Sequence, residues 1–352
     1  MKKTFLLMGI AALAFASCAK DTVSEINYGR AIDFRVATQT RATETTVNIL
    51  TEFKVTAISA TIDETADVWT ENTPYFTDVL FKNTEANKTD YNSDDKYYWP
   101  EAGGLKFYAY APQGTSNVTI NKETKTITDF TPNENIKSQV DLIVGKGTGT
   151  NANQSTGVPL TFDHMLSQIE IKAKNTDANH TFKVAGFRIS NVLPTGTLDF
   201  SGATPSWTPS GTADTYEVLY NQSGYTNCIT LSANSQVITA YYDETNTTFV
   251  TDNAMLIPQN LSEADSKLEV LVNVTSTTGV QMFPATAGAY DWMEVDIRTV
   301  WTAGTKYTYT LDLTNSLGAP IKFTTAFTPW ATGNPAELTP TPVVEEKGDD
   351  VE

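Results

Sequence analysis

Ile169-Glu170-Ile171-Lys172-Ala173-Lys174 alternates apolar and charged residues without a break. Successive side chains of an extended chain point to opposite faces, so this stretch reads as a strand. Ile169, Ile171 and Ala173 would lie on a buried face, with Glu170, Lys172 and Lys174 on a wet one. Leu105, Phe107, Ala109 and Ala111 alternate with Lys106, Tyr108 and Tyr110 in the same manner. Further out, Val47–Leu50, Phe53–Ile58, Phe182–Ile189, Leu268–Val274 and Tyr307–Leu313 are rich in β-branched and aromatic residues. Clusters of Gly, Asn, Asp and Pro separate them, as turns separate strands. No window long enough for a core helix carries a 3.6-residue apolar period, and Leu261–Lys267 is the one stretch compatible with a turn or two of helix. The expected class is all-β.

The chain has 352 residues, 40% of them hydrophobic, which suggests two domains with a core apiece. Its formal net charge of −17 and its lack of any Lys/Arg run repel a phosphate backbone, so nucleic acid is not an expected partner. Two His and two Cys leave little for metal sites or nucleophile–base pairs. His164 follows Asp163, but no Gly-x-Ser-x-Gly elbow accompanies it, and it reads as a structural histidine. Asp63-Glu64, Asp94-Asp95 and Asp349-Asp350 lack the spaced ligands of a calcium loop. Gly145–Thr150 lacks the order of a phosphate-binding loop. A glycosidase carboxylate pair would leave no local signature, and nothing points to one. Neither metal nor cofactor nor enzymatic activity is expected.

Lys2 and Lys3 precede an apolar run from Phe5 to Ala16, interrupted only by Gly9, and then Ser17 and Cys18. A bilayer core needs about 20 apolar residues, so residues 1–17 read as an export signal rather than a span. Ala16-Ser17-Cys18 resembles a bacterial lipobox, with Phe15 where Leu is usual, which makes Cys18 the expected lipid acceptor. Cys228 would then be the only thiol, and no intrachain disulfide is expected.

Residues 18–44 form a leader in which Ala31-Ile32-Asp33-Phe34-Arg35-Val36 is strand-like and a polar stretch around Arg41 follows. Gly145–Gly157 has no apolar side chain larger than Ala, so it is expected to separate one domain, 45–157, from a second, 158–333. Residues 334–352, with three prolines and an acidic end, read as a flexible tail.

Five segments occur in an order that resembles the fimbrillin family, the subunits of type V pili in Bacteroidales. They are Tyr97-Tyr98-Trp99-Pro100 with Leu105–Pro112, then Leu160–Ile169, Leu256-Ile257-Pro258-Gln259, Gly304–Leu311 and Phe327-Thr328-Pro329-Trp330. Lys20 and Asp21, just after the lipobox, look like the export signal of surface lipoproteins in the same bacteria. The resemblance implies two tandem transthyretin-like Greek-key β-sandwiches. It implies an outer-membrane, cell-surface location in a fimbrium, with other fimbrillin subunits and an arginine-specific protease as partners. It also implies a mechanism in which a cut in the leader frees the first strand and a neighbour's strand takes its place. On this reading Ile32, Phe34 and Val36 face inward on the removable strand, and Arg41-Ala42 is the cut, with Arg35 the poorer candidate. Filling three pockets would contribute roughly 1.5–3 kcal/mol per side chain before ordering costs. The donor is expected at Ile321, Phe323, Thr325 and Phe327, which share one face, or in the tail at 336–344. The competing reading is a surface glycan-binding lipoprotein, with Tyr97, Tyr98 and Trp99 as a stacking platform, or a pilus anchor or tip accessory that keeps its lipid. Trp99 before Pro100 also reads as a core plug.

Overall fold

Alternation at period two fixes which face of each strand is buried, and the resulting sheets are seen in a computed structural model. It describes residues 29–36, 50–63, 65–83, 90–112, 118, 120–123, 125–221, 224–263, 265–317 and 321–329. Apart from two short 3-10 turns, the regular structure there is strand, so the all-β class holds. The described residues of Leu261–Lys267 form no helix, and the stretch leads instead into a strand that begins at Lys267.

Seven strands make the first sheet: β1 (Phe34–Val36), β2 (Glu52–Asp63), β3 (Val68–Lys82), β4 (Asp90–Tyr91), β5 (Gly104–Ala111), β7 (Ile143–Gly149) and β8 (Val158–His164), in the order β3-β2-β5-β7-β8-β1-β4. A single bridge from Lys82 to Asn92 joins its two ends. Apart from Thr126–Phe130, which belongs to a small third sheet, strands of the other sheets follow only after His164. One sheet holds β9 (Ser167–Lys174), β15 (Gln236–Val237), β18 (Ala254–Leu256), β22 (Thr305–Asp312) and β23 (Lys322–Pro329). The sheet associated with it in the second core holds β10 (His180–Val192), β13 (Asp214–Leu219), β14 (Ile229–Thr230), β19 (Lys267–Ser276), β20 (Gln281–Phe283) and β21 (Asp291–Asp296). A third, small sheet joins β6 (Thr126–Phe130) to β11 (Thr195–Asp199) and β12 (Ser206–Ser210), and β16 (Ala240–Asp243) pairs with β17 (Thr248–Thr251).

The expected separator at 145–157 is therefore corrected. Its first residues belong to β7, hydrogen-bonded to β5 on one side and β8 on the other. Leu160–His164, read as the opening of a second domain, belongs to the first sheet. Glycine is required along β7 by its surroundings. A Cβ on Gly149 would lie 2.6 Å from Trp99 Cη2, and one on Gly147 would lie 2.8 Å from Leu160 Cδ2.

Three cores result. The first is aromatic, built on Phe53, Phe76, Phe81, Phe107 and Phe162, and it includes Phe34. The second lies beneath β9, β10, β19 and β22. The third fills the seam between them, where Tyr108, Tyr110 and Val144 meet Leu198, Phe200, Met255 and Ile257. Part of each of two expected wet faces is consequently buried. Tyr108 and Tyr110 face the seam, and Glu170 is held by Lys306 at 2.8 Å and Lys172 at 3.0 Å. Asp78, at φ +56 in an interrupted stretch of the β2–β3 ladder, accepts bonds from Lys54 and Tyr110.

Candidate functional site

β1 is a three-residue strand whose hold comes from its inward side chains. Ile32, Phe34 and Val36 are all buried, Phe34 completely. The Phe34 ring stands edge-on to Phe81 at 4.7 Å, Phe107 at 5.0 Å and Phe53 at 5.8 Å. Edge-to-face pairs of this kind add about 0.5–1.5 kcal/mol each to the gain from burial. The backbone runs parallel to β8, with Phe34–Val36 opposite Val158–Leu160, and antiparallel to β4, with Phe34 opposite Tyr91. The Ile32 N–H donates to Tyr97 O at 2.7 Å, and the Val158 N–H donates to Asp33 O at 2.9 Å.

The charges around β1 are local. Asp33 is buried and accepts from Arg30 and Arg35, each at 3.0 Å. Arg35 also reaches Asp90 Oδ1 at 3.1 Å. Gly157, at φ +72, leaves room for the Arg35 side chain, since a Cβ there would come within 2.8 Å of Nη1. Arg35 is thus pinned in a strand and is a poor substrate for a protease that needs an extended, accessible backbone. Cys18, Arg41, Ala42 and residues 334–352 lie outside the described residues.

At the other end of the chain, β23 inverts this arrangement. It pairs with β22 over eight residues in unbroken register, from Lys322 opposite Asp312 to Pro329 opposite Thr305. Its side chains are poorly covered, with Phe323 36% and Phe327 59% exposed. Thr325 is half-buried, and Ile321 packs on the second core. Among the described residues its outer edge pairs with no strand. Apart from the bridge at Lys82, the outer edge of β3 pairs with no strand among the described residues, and it carries Pro74 and three register breaks against β2, devices that blunt an edge.

The remaining candidates are structural. His164 ends β8 with its Nδ1 2.7 Å from Asp141 Oδ2 in a buried position. Trp99 is buried in the first core, 6.0 Å from Phe107, so the exposed stacking platform proposed for Tyr97, Tyr98 and Trp99 does not form. Among the described residues no group of three or more His, Cys, Asp or Glu is placed to hold a metal ion. Glu71 on β3 meets Lys125 at 2.6 Å, Lys106 at 3.0 Å and the Tyr108 hydroxyl at 2.5 Å. Burial would raise its pKa, but these donors outweigh it and bring the value to about 2.

Sequence reasoning found the inward residues of β1 and missed its surroundings. Asp33 occupies an outward phase and is nonetheless buried, while β4 is too short to leave a pattern. The only available signal was the proximity of Arg30 and Arg35 to Asp33 in sequence.

Comparison with known proteins adds the family. A candidate cell adhesion protein of Bacteroides uniformis has the same fold, with a TM-score of 0.52 at 16% identity, covering 86% of this chain and 100% of that one. A candidate cell adhesion protein of Bacteroides ovatus gives 0.47 at 13% identity, covering 87% and 99%. A fimbrial assembly protein of Parabacteroides distasonis gives 0.39 at 12% identity, covering 84% and 95%. No curated protein matches the chain. A family model described as fimbrillin-like matches residues 40–330, which takes in every strand from β2 to β23. The chain belongs to the fimbrillin-like family.

Proposed function

We propose that this chain is a structural subunit of a cell-surface fimbrium that acts by assembly and adhesion rather than catalysis. In this reading the sheets form the family's tandem transthyretin-like Greek-key sandwiches, and the chain is exported as a lipoprotein through Cys18. An arginine-specific protease then cuts between Arg41 and Ala42. The leader departs with β1, and β23 of another fimbrillin subunit enters the slot between β8 and β4. The observation that carries the reading is the completion of the first core by Ile32, Phe34 and Val36, three side chains from a segment outside the family match at 40–330. The exposure of Phe323 and Phe327 on β23 supports its part as donor, since both rings gain burial by moving into pockets of that kind.

The test is digestion with an arginine-specific protease followed by a non-boiled gel. Wild type and Arg35→Ala should give a ladder, and Arg41→Ala should give folded monomer. If both variants assemble like wild type, cleavage-gated exchange is wrong, and an anchor or tip role that retains the leader replaces it. Palmitate labelling checks the anchor. Cys18→Ala should lose the label entirely, and a labelled variant would refute lipidation at that residue.

A further inference from the structure

The strand that completes the first core carries a buried carboxylate. Asp33 is 2% exposed, and its Oδ1 has no hydrogen-bond partner among the described residues. Its Oδ2 takes both available cations, Arg30 and Arg35, at 3.0 Å each. All three residues lie in the one segment 29–36, so these ion pairs travel with the leader and do not fasten it to the domain. Among the described residues the ionic contact that does cross is Arg35 Nε to Asp90 Oδ1 at 3.1 Å, and Asp90 is 40% exposed. Such a solvated pair holds weakly. Withdrawing a carboxylate from water is costly, and partners repay that cost only when every lone pair is satisfied. Free in solution, the leader would rehydrate Asp33, keep both arginines within reach of it, and lose only the solvated contact to Asp90. The candidate replacement lacks this burden. The chain enters β23 on the same Ile-x-Phe spacing, Ile321-Lys322-Phe323, and the long stem of a lysine can carry its charge to water where an aspartate cannot.

Resting on the strand-exchange reading, we propose that Asp33 is the release determinant of the leader. Its buried charge keeps β1 a weak occupant, held in the slot by covalent attachment rather than by affinity. While the chain is intact, attachment supplies a high effective concentration and the slot stays full despite the penalty. Once residue 41 is cut, that advantage ends, and the leader dissociates without being pushed. A neutral residue at position 33 would leave a cleaved peptide lodged in the slot, and assembly would stall after proteolysis instead of before it.

The experiment uses the full chain, cut with an arginine-specific protease. Cleavage confined to residue 41 is verified by mass, and leader retention is followed by native mass spectrometry. Wild type should lose its leader, whereas Asp33→Asn and Asp33→Val should retain it about tenfold longer, with any ladder delayed in proportion. Equal release rates for all three overturn the proposal. A second measurement covers a variant that folds poorly. Synthetic peptides of residues 29–41, with the native sequence or with D33N, are titrated onto cleaved wild-type protein. About tenfold tighter binding of the D33N peptide is expected, and equal affinity overturns the proposal. Slower release of the variants with no ladder from any protein would sustain the role of Asp33 while refuting strand exchange itself.

Discussion

β1 and β23 are the first and last strands among the described residues, and they are held in opposite ways. β1 has three residues of ladder and complete burial of its inward side chains. β23 has eight residues of ladder and two phenylalanines in contact with water. Backbone hydrogen bonds are the same for any sequence, so a strand held mainly by them can change partners at little cost. Pocket filling depends on particular side chains. Retention of β1 therefore depends on its particular side chains, and retention of β23 rests mainly on its backbone.

The sharpest way to break that comparison is to truncate one ring at each end. Phe34→Ala in the uncut chain removes a ring with three edge-on neighbours and should cost about 3–5 kcal/mol in urea unfolding. A loss below about 1 kcal/mol would mean that the first core does not depend on the leader. Acid sharpens the picture for the sheet that β1 completes. Glu71 has a folded pKa of about 2 against an ordinary 4.5, so its contribution is present at neutral pH and fades as pH falls from the higher value through the lower. Its side chain is partly exposed, and solvent screening brings the expected effect to about 1–3 kcal/mol. Glu71→Gln should therefore flatten the stability curve in that window, and an unchanged acid limb would show that the Lys106–Lys125–Tyr108 cluster is not a stabilising lock. The smallest effect belongs to the far end. Phe327→Ala should shift the stability of the uncut chain by no more than about 0.5 kcal/mol. A much larger shift would make β23 a core strand instead of a transferable one.

The same division marks what could be read from sequence. Ile169–Lys174 and Leu105–Ala111 announced themselves because alternation of apolar and polar residues is a direct print of a pleated strand. β7 was invisible for an equally direct reason. Its inward residues are Gly145, Gly147 and Gly149, and the space their side chains would have used is occupied by Phe162, Leu160 and Trp99. A strand whose core is supplied by its neighbours has no apolar pattern of its own. The wet faces assigned to Tyr108, Tyr110 and Glu170 failed because a sequence reports which residues tolerate water, not which neighbour arrives to exclude it. At the candidate site, alternation disclosed Ile32, Phe34 and Val36. The burial of Asp33 was hidden, since its partners are arginines within three residues and Val158 on the distant strand β8, whose N–H donates to Asp33 O.

The bridge between Lys82 and Asn92 has a consequence for architecture beyond a single molecule. Because it ties β4 back to β3, the first sheet runs from β8 around to β4 as a nearly closed ring, and β1 is the one strand that completes the circuit. Neighbouring strands lie about 4.8 Å apart, so a ring short of one member leaves a gap of about 10 Å between flanking strands. That width admits one guest. Under the proposed strand exchange, such a subunit would have a valence of one at its receiving end and one at its giving end, and units with two unlike single valences join into unbranched lines.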